Sequence, residues 1–182
     1  APLGTGFTGR WHHLFASKSG VSALPADASG DTAIRVGGQV PDVNQDPEYG
    51  LDLDALIPQK EQRKSDRFIH LALAAAEEAI NQANLRNLSE AARVRVATII
   101  ATGIGGFHAI SSAVKTVAEK GSRRLSPFTI PSFIANLAAS QVAIKYGFKG
   151  MLGTPVSACA ASIQSIGDGL RAIRCGEADI AV

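Results

Sequence analysis

The stretch Val94–Ala101, with the sequence VRVATIIA, constrains the fold more than any other part of this 182-residue chain. It is apolar and rich in β-branched residues, which predicts a buried strand. Before it, from Asp66 to Asn84, apolar residues recur at three- and four-residue steps, which predicts an amphipathic helix with Ser65 as its N-cap. Because a strand that is buried on both faces needs helices on both sides of its sheet, the pattern favours a layered α/β fold.

The rest of the chain continues this alternation of helices and strands. A Gly-rich turn, Gly103–Gly106, follows the predicted strand and leads into a helix that extends to Lys120. Residues 39–58 are rich in turn-forming residues and are predicted to form a long loop. Further helices are predicted over Gly9–Ser17, Ser132–Lys145 and Ala160–Arg174, and further strands over Ile34–Val36, Leu152–Ala158 and Ala178–Val182.

The composition is that of a globular protein with nearly balanced charge. Lys and Arg number 18 and Asp and Glu 16, so the formal net charge of +2 does not support binding to nucleic acid or to an anionic membrane. Two cysteines, Cys159 and Cys175, exclude a disulfide framework and indicate a reducing compartment. The uncharged run Leu125–Ile144 is long enough to cross a bilayer, but its two prolines, Asn136 and Gln141 favour buried core of a soluble protein.

Sequence motifs for metals and nucleotides are missing. The four histidines, His12, His13, His70 and His108, lack the spacing that is typical of metal ligands, so no metal site is predicted. The Gly-rich turn does not complete a dinucleotide-binding motif, because position 108 holds His instead of Gly. Two interpretations of the turn stay open: a tight strand-to-helix connection, or the lining of a substrate pocket.

Cys159 lies at a predicted junction between a strand and a helix, within the segment Val156–Ser162. A thiol at a helix start faces unpaired backbone N–H groups and the positive end of the helix dipole, which favour a thiolate by about 0.3–1 kcal/mol. That contribution alone does not make a nucleophile, which normally needs a nearby base. From the pattern alone, Cys159 is either an inert buried thiol or a nucleophile, whereas Cys175 is interpreted as structural.

Basic residues form two groups in the sequence. They are either solvated helix and loop positions or a docking surface for an acidic partner. The groups comprise Lys60, Arg63, Lys64 and Arg67, and Lys120, Arg123 and Arg124.

Taken together, these segments resemble the β-ketoacyl-acyl carrier protein synthases of the type II class, condensing enzymes of fatty acid synthesis with a thiolase-like fold. The resemblance extends over essentially the whole chain, and several motifs occur in the family's order. The segments that carry it are Ala1–Gly4, Lys60–Ile69, Thr102–Gly106, Arg123–Phe128, Asn136 with Tyr146 and Gly147, the Cys159 motif Gly153–Ser162, Ile166–Asp168 and Gly176–Asp179.

The resemblance implies a layered α-β-α-β-α architecture built from two similar halves. Residues 1–182 are then expected to be the N-terminal half, with a mixed, mainly parallel sheet that lacks the opening strand and everything after the strand at Ala178–Val182. The family's two catalytic histidines and a nearby lysine lie in the second half, and no histidine of this chain matches them. The chain by itself is therefore expected to be inactive.

The resemblance also implies a reaction and the residues that serve it. Cys159 is expected to take an acyl group from acyl carrier protein, before decarboxylative Claisen condensation with malonyl-acyl carrier protein extends the chain by two carbons. Ile104, Phe128 and Thr129 fall where the family lines its acyl tunnel. No metal or organic cofactor is implied. The residues expected to dock the acidic carrier protein are Lys60, Arg63, Lys64, Arg123 and Arg124.

A cytoplasmic homodimer with no nucleic-acid or membrane partner is the expected form of the enzyme. A ketosynthase of polyketide synthesis is the alternative within the same fold. That group carries a T-A-C-S-S-like motif, whereas this chain has Ser157–Ala161, SACAA, so the fatty acid enzyme is favoured.

Overall fold

The computed structural model describes residues 1–25 and 30–182, which form two compact units, 1–56 and 57–182. The first unit contains helix α1, Phe7–Phe15, and a short antiparallel pair of strands, β1 (Ser22–Ala23) and β2 (Val36–Gly37). Helix α2, Leu53–Leu56, closes the unit. The predicted helix over residues 9–17 is therefore displaced by two residues, and the predicted loop over 39–58 contains one helical turn.

The second unit alternates helices with strands. Two 3₁₀ turns, at Ser122–Arg124 and Ala158–Ala160, interrupt the alternation. The elements are α3 (Gln59–Gln62), α4 (Arg67–Gln82), α5 (Glu90–Arg93), β3 (Val96–Ile99), α6 (Phe107–Lys120), α7 (Thr129–Phe133), α8 (Leu137–Tyr146), β4 (Leu152–Gly153), α9 (Ala161–Arg174) and β5 (Ile180–Ala181).

A parallel sheet in the order β4-β3-β5 organises this unit. All four residues of β3 are buried, as a central strand that is covered on both faces requires. Thr98 pairs with Leu152 on one side, and Val96 pairs with Ile180 on the other. The predicted α/β class and the buried strand are thus confirmed. The strand predicted to extend to Ala158 stops at Gly153, two residues before Pro155, which has no N–H to donate to a neighbouring strand.

Helices α4 and α8 pack together to form much of the core. Ile69, Leu73 and Ile80 lie on one face of α4 and are buried, in agreement with the sequence periodicity. On α8 the buried residues are mainly small, Ala138 and Ala139 among them. Small side chains allow two helix axes to approach closely, which accounts for the abundance of alanine in this part of the chain.

Two sequence predictions in this region are wrong. Ser65 does not cap α4: the N-cap is Asp66, whose Oδ2 instead accepts a hydrogen bond from the Ala109 backbone N–H of α6 at 2.8 Å. The single helix predicted over residues 132–145 is broken between α7 and α8. The break follows from tertiary contact, since the Phe133 carbonyl accepts a hydrogen bond from Gly106 N–H at 3.0 Å.

The uncharged run Leu125–Ile144 therefore comprises a turn, α7 and most of α8. Within residues 1–25 and 30–182, no helix has both the length and the apolar character needed to cross a bilayer.

Candidate functional site

Cys159 lies in a tight turn between β4 and α9. The Ala158–Ala160 3₁₀ turn places it directly before the first residue of the 14-residue helix α9. Ala158 has φ +50°, a left-handed conformation that costs a non-glycine residue about 1–2 kcal/mol. The thiol of Cys159 is exposed. The thiol is therefore not buried within this chain, and its role as a nucleophile stays a prediction.

The backbone around Cys159 leaves one donor available. Ala160 N–H bonds to the Ser157 carbonyl at 3.1 Å, and Ala161 N–H bonds to the Ala158 carbonyl. The Cys159 N–H has no hydrogen-bond partner among the described residues. An exposed sulfur beside an unused N–H at the positive end of a helix is an arrangement that can attack a carbonyl carbon and stabilise the resulting oxyanion.

The Gly-rich loop after β3 lies next to the Cys159 turn. Because β3 and β4 are parallel, the loops that follow them leave the sheet at the same edge, and Thr102 N–H donates to the Pro155 carbonyl at 3.2 Å. Ile104, at the tip of this loop, is 70% exposed. The structure thus brings Ile104 and Cys159 to one edge of the sheet, and the role of Ile104 in binding an acyl chain stays a prediction.

The glycines of this loop are explained by packing. Gly105 has φ +95°, and a Cβ on Gly106 would lie 2.6 Å from Phe133 Cα. A side chain at Gly106 would therefore push α6 away from α7. Of the two interpretations of the turn, the tight strand-to-helix connection explains why Gly105 and Gly106 are glycines. It does not explain Gly103, because a side chain there would meet open space.

The predicted docking cations lie in two parts of the chain that the fold brings together. Arg63, after α3, and Arg124, before α7, line one cavity of about 240 Å³, together with Phe128 and Thr129. Lys64 Nζ lies 5.2 Å from the centroid of the Phe128 ring. Phe128 and Thr129, which the resemblance assigns to an acyl tunnel, thus line the same cavity as two of the predicted docking residues. Their role in binding an acyl chain is not tested by this placement.

The five cations that are predicted to dock the carrier protein differ in whether they form an ion pair. Lys64 forms an ion pair with Glu61 at 2.7 Å. The other four are exposed, and none of them forms an ion pair with a carboxylate of the described residues: Lys60, Arg63, Arg123 and Arg124. These four cations are therefore free to meet a partner's negative charge.

A buried histidine lies beside this surface. His70 is 8% exposed, and its Nε2 shares a hydrogen bond of 2.9 Å with Ser65 Oγ. Burial lowers the pKa of His70, so the ring is neutral at pH 7 and links α4 to the turn that carries Arg63 and Lys64. Among the described residues, no three His, Cys, Asp or Glu side chains come together as a metal site requires.

Three features of these sites were not predicted from the sequence. Cys175, interpreted as structural, is exposed at the end of α9, and its interpretation as structural stays a prediction. The left-handed conformation of Ala158 has no signal in the residue type. The hydroxyls of Ser112 and Ser126 face the same cavity as Arg63 and Arg124, and neither was predicted as functional.

Comparison with known proteins connects this geometry to a family. A family model described as "Beta-ketoacyl synthase, N-terminal domain" matches residues 1–182. The chain is 34% identical to the 3-oxoacyl-(acyl-carrier-protein) synthase 2 of Synechocystis sp. over 177 residues, which are 97% of this chain and 40% of that protein. It thus spans less than half the length of this curated relative.

Solved structures share the fold. The ishigamide ketosynthase/chain length factor superposes with a TM-score of 0.80 at 19% identity, covering 98% of this chain and 47% of that one. A type II PKS acyl-carrier protein in complex with its ketosynthase bound to the hexaketide superposes with a TM-score of 0.61 at 24% identity, covering 70% of this chain and 37% of that one. At these identities the likeness shows a thiolase-like ketosynthase fold.

Proposed function

The chain belongs to the β-ketoacyl synthase family, and on that premise we propose that it supplies the nucleophile of a condensing acyltransferase of fatty acid synthesis. The proposed enzyme is a 3-oxoacyl-acyl carrier protein synthase that extends an acyl chain by two carbons. Residues 1–182 act in it as the N-terminal half. Its activity requires groups beyond this chain, in keeping with the 40% of the curated relative's length that the chain spans.

The turn at Cys159 is the observation that carries the proposal. The exposed thiol, the strained Ala158 and the unused Cys159 N–H converge at the start of α9. A backbone that holds a residue in an unfavourable conformation is typical of functional sites, because packing alone would select a relaxed turn. The arrangement supports Cys159 as the residue that carries the acyl group.

The proposed reaction has two covalent steps. In the first, the Cys159 thiolate attacks the thioester carbonyl of acyl carrier protein, a C–S bond forms, and the carrier sulfur leaves and takes up a proton. The Cys159 N–H donates to the oxyanion while the tetrahedral intermediate exists. In the second, malonyl carrier protein loses CO₂, and the electron pair left on its C2 attacks the acyl-enzyme carbonyl. A C–C bond then forms, and the Cys159 sulfur leaves and is reprotonated.

Residues outside this chain complete the proposed chemistry. The family's two catalytic histidines and a lysine assist the decarboxylation, and His12, His13, His70 and His108 do not match them. His70 is buried against Ser65, and His13 Nδ1 is hydrogen-bonded to the Leu3 carbonyl at 2.9 Å, so both are engaged elsewhere. The isolated chain is therefore proposed to be inactive, with no metal or organic cofactor assigned to it.

Reactivity toward a thiol reagent tests the role of Cys159 directly. Cys159 and Cys175 are both exposed in this chain, so each can be compared as a target of a small reagent. We expect iodoacetamide to modify Cys159 faster than Cys175, since Cys159 is the proposed nucleophile at the start of α9, whereas Cys175 follows the last residue of that helix. Peptide mass spectrometry over time measures both rates in the full-length protein, and equal rates would contradict an activated Cys159.

The cations around Arg63 and Arg124 support acyl carrier protein as the partner. Four of the five predicted docking cations carry no ion pair among the described residues, so an acidic protein meets unpaired positive charge. One neighbour in fold is itself described as a ketosynthase in complex with an acyl-carrier protein. We therefore propose that this surface docks both the acyl-loaded and the malonyl-loaded carrier.

Charge reversal away from the cavity tests the docking proposal. Lys60→Glu and Arg123→Glu replace exposed cations that do not line the cavity. Each is expected to raise the KM for acyl-carrier substrate about threefold or more, because an attraction becomes a repulsion, and to leave the KM for a small acyl thioester unchanged. Steady-state kinetics of the full-length enzyme measures both constants, with Arg174→Glu on α9 as the matched control. An equal response of both substrates would remove the docking role.

We further propose that the enzyme works as a homodimer in the cytoplasm. Two unpaired cysteines support a reducing compartment. Strands β4 and β5 form the two edges of the described sheet, and exposed apolar residues such as Phe107 and Val114 lie on α6, features that an interface between copies would cover. The molar mass in solution, measured by light scattering, tests this assembly.

A further inference from the structure

We propose that Asp66 is a positioning residue for the acyl chain, because its carboxylate fixes the end of the Gly-rich loop that carries Ile104. The inference rests on the proposed function for the identity of the substrate, an acyl thioester carried to Cys159. It deepens that function by naming a residue that acts on the substrate through another residue. Asp66 lies at the start of α4 and is not among the residues that the sequence assigns to the reaction.

The side chain of Asp66 does not serve its own helix. Asp is a favoured N-cap residue because its carboxylate accepts a hydrogen bond from an N–H in the first turn. In α4 that bond is not made, and Asp66 Oδ2 instead accepts from Ala109 N–H, at 2.8 Å and partly buried. Ala109 is the third residue of α6, a position that an N-cap side chain normally serves, and the N-cap residue of α6, Gly106, has no side chain. Asp66 therefore caps α6 from another helix.

The charge of Asp66 also suits this position. A helix N-terminus carries partial positive charge, and a hydrogen bond from one of its N–H groups to a carboxylate is stronger than one between neutral groups. Helix α6 has no acidic residue in its own first turn. Asp66 supplies the negative charge that the sequence of α6 lacks.

The backbone of Asp66 is held by the helix on the other side of the loop end. Asp66 N–H donates to the Ser132 carbonyl of α7 at 3.1 Å. The next residue of α7, Phe133, accepts from Gly106 N–H at 3.0 Å. Asp66 is thus bonded to both α6 and α7, the two elements against which the Gly-rich loop ends.

The end of the loop packs directly on these anchors. A Cβ on Gly106 would lie 3.0 Å from Asp66 Oδ2 and 2.6 Å from Phe133 Cα. A Cβ on Gly105 would lie 2.9 Å from the Phe133 carbonyl oxygen. Because the backbone approaches this closely, a shift of the Asp66 carboxylate or of α6 is passed to the loop.

The opposite end of the loop is anchored beside Cys159. Thr102 N–H donates to the carbonyl of Pro155 at 3.2 Å, and Pro155 lies four residues before Cys159 in the chain. Ile104 lies between the two anchored ends and is 70% exposed, so its own side chain contributes little packing. The position of Ile104 relative to an acyl chain on Cys159 therefore depends on the two anchors, and Asp66 supplies the charged one.

Acylation of Cys159 by thioesters of two lengths tests the inference. The acetyl and decanoyl thioesters of N-acetylcysteamine are compared on the full-length protein, and intact mass spectrometry follows transfer of the acyl group to the sulfur as the small thiol leaves. We expect Asp66→Ala to lower the rate constant for the decanoyl chain about tenfold and that for the acetyl group less than about twofold, because a misplaced contact slows only a substrate that uses it. Asp66→Asn keeps an oxygen that can accept from Ala109 and is expected to retain the native ratio within about threefold.

Ser89→Ala is the matched control. Ser89 is the N-cap of α5, and its Oγ accepts from Ala92 N–H at 3.2 Å, again the third residue of the helix. The variant removes the same kind of bond from the same unit without touching the loop, so it is expected to lower thermal stability and preserve the ratio of the two rate constants. An unchanged ratio in Asp66→Ala, or an equal change in Ser89→Ala, would overturn the positioning role.

A double-variant cycle shows whether Asp66 acts through the loop. Ile104→Ala and Asp66→Ala are each expected to reduce the preference for the decanoyl chain. The double variant is expected to be within about twofold of the more affected single variant, since residues that act as a unit are not additive. Effects that multiply would show that Asp66 does not act through Ile104, and the inference would be wrong.

Hydrogen exchange separates failure of this inference from failure of the proposed function, because it needs no substrate. Asp66→Ala is expected to speed exchange in residues 104–109 about tenfold or more, through loss of the bond to Ala109, whereas Ser89→Ala leaves it unchanged. Unchanged exchange in Asp66→Ala overturns the anchor even where the native protein is acylated. If exchange rises but neither thioester acylates the native protein, the proposed function fails, and the substrate role of Asp66 fails with it.

Discussion

We expect Cys159→Ala to abolish the proposed condensation in the full-length protein. Both proposed covalent steps pass through the Cys159 sulfur, so its loss removes the acyl-enzyme and not merely a stabilising contact. We expect the rate of elongation to fall on the order of 10³-fold or more, the scale on which loss of a nucleophile acts. The measurement is the appearance of a product two carbons longer, followed by mass spectrometry from acyl- and malonyl-loaded carrier protein.

The control uses the second exposed thiol. Cys175→Ala removes a second exposed cysteine, at the other end of α9. It is expected to leave elongation within about twofold of the native rate, since exposed positions away from a site tolerate substitution. Intact mass spectrometry adds a second readout, because acyl-loaded carrier protein should increase the mass of the native enzyme and of Cys175→Ala only. Elongation that persists in Cys159→Ala would refute the assignment of the nucleophile.

Ile80→Ala has the largest expected effect on stability. Ile80 is 0% exposed and lies on the face of α4 that packs on α8, together with Ile69 and Leu73. Truncation to alanine removes buried methyl groups of Ile80 and leaves a cavity between α4 and α8. We expect a loss of about 2–5 kcal/mol in the free energy of unfolding.

Chemical denaturation, followed by circular dichroism, measures this loss as a lower transition midpoint. Ile144→Ala is the matched control, because Ile144 lies on α8 but is 71% exposed. Its change is expected to stay within about 0.5 kcal/mol. A similar shift for both variants would contradict the placement of the core between α4 and α8.

Much of the fold could be predicted because its signals are local. The β-branched run around Val96 and the apolar periodicity of α4 depend on residues close together in the chain, and both are confirmed. The break between α7 and α8 could not be predicted, since it depends on a hydrogen bond from Gly106 to Phe133. The position of Asp66 could not be predicted for the same reason, because its carboxylate accepts a hydrogen bond from Ala109 of α6 and none from its own helix.

The candidate sites divide in the same way. A continuous motif predicts Cys159 as the nucleophile, but the left-handed conformation of Ala158 before it depends on the surrounding turn and not on its own side chain. The cavity needs Arg63 and Arg124 to meet across a long sequence separation, and no periodicity signals that meeting. The ion pair between Lys64 and Glu61 could not be predicted either, because a count of charges does not distinguish paired cations from unpaired ones.

The positions of the three strands along the chain also affect the order in which the second unit can assemble. Its central strand, β3, pairs with β4 and β5, and both follow it at a considerable distance along the chain. Parallel pairing of distant segments requires the closure of long loops before any contact is gained, which slows folding. During synthesis, β3 therefore cannot pair until Leu152 and then Ile180 have been added to the chain. Helices α4 and α8, in contrast, are both synthesised before β4. We therefore expect the helical layer to form before the end of the sheet that bears Cys159.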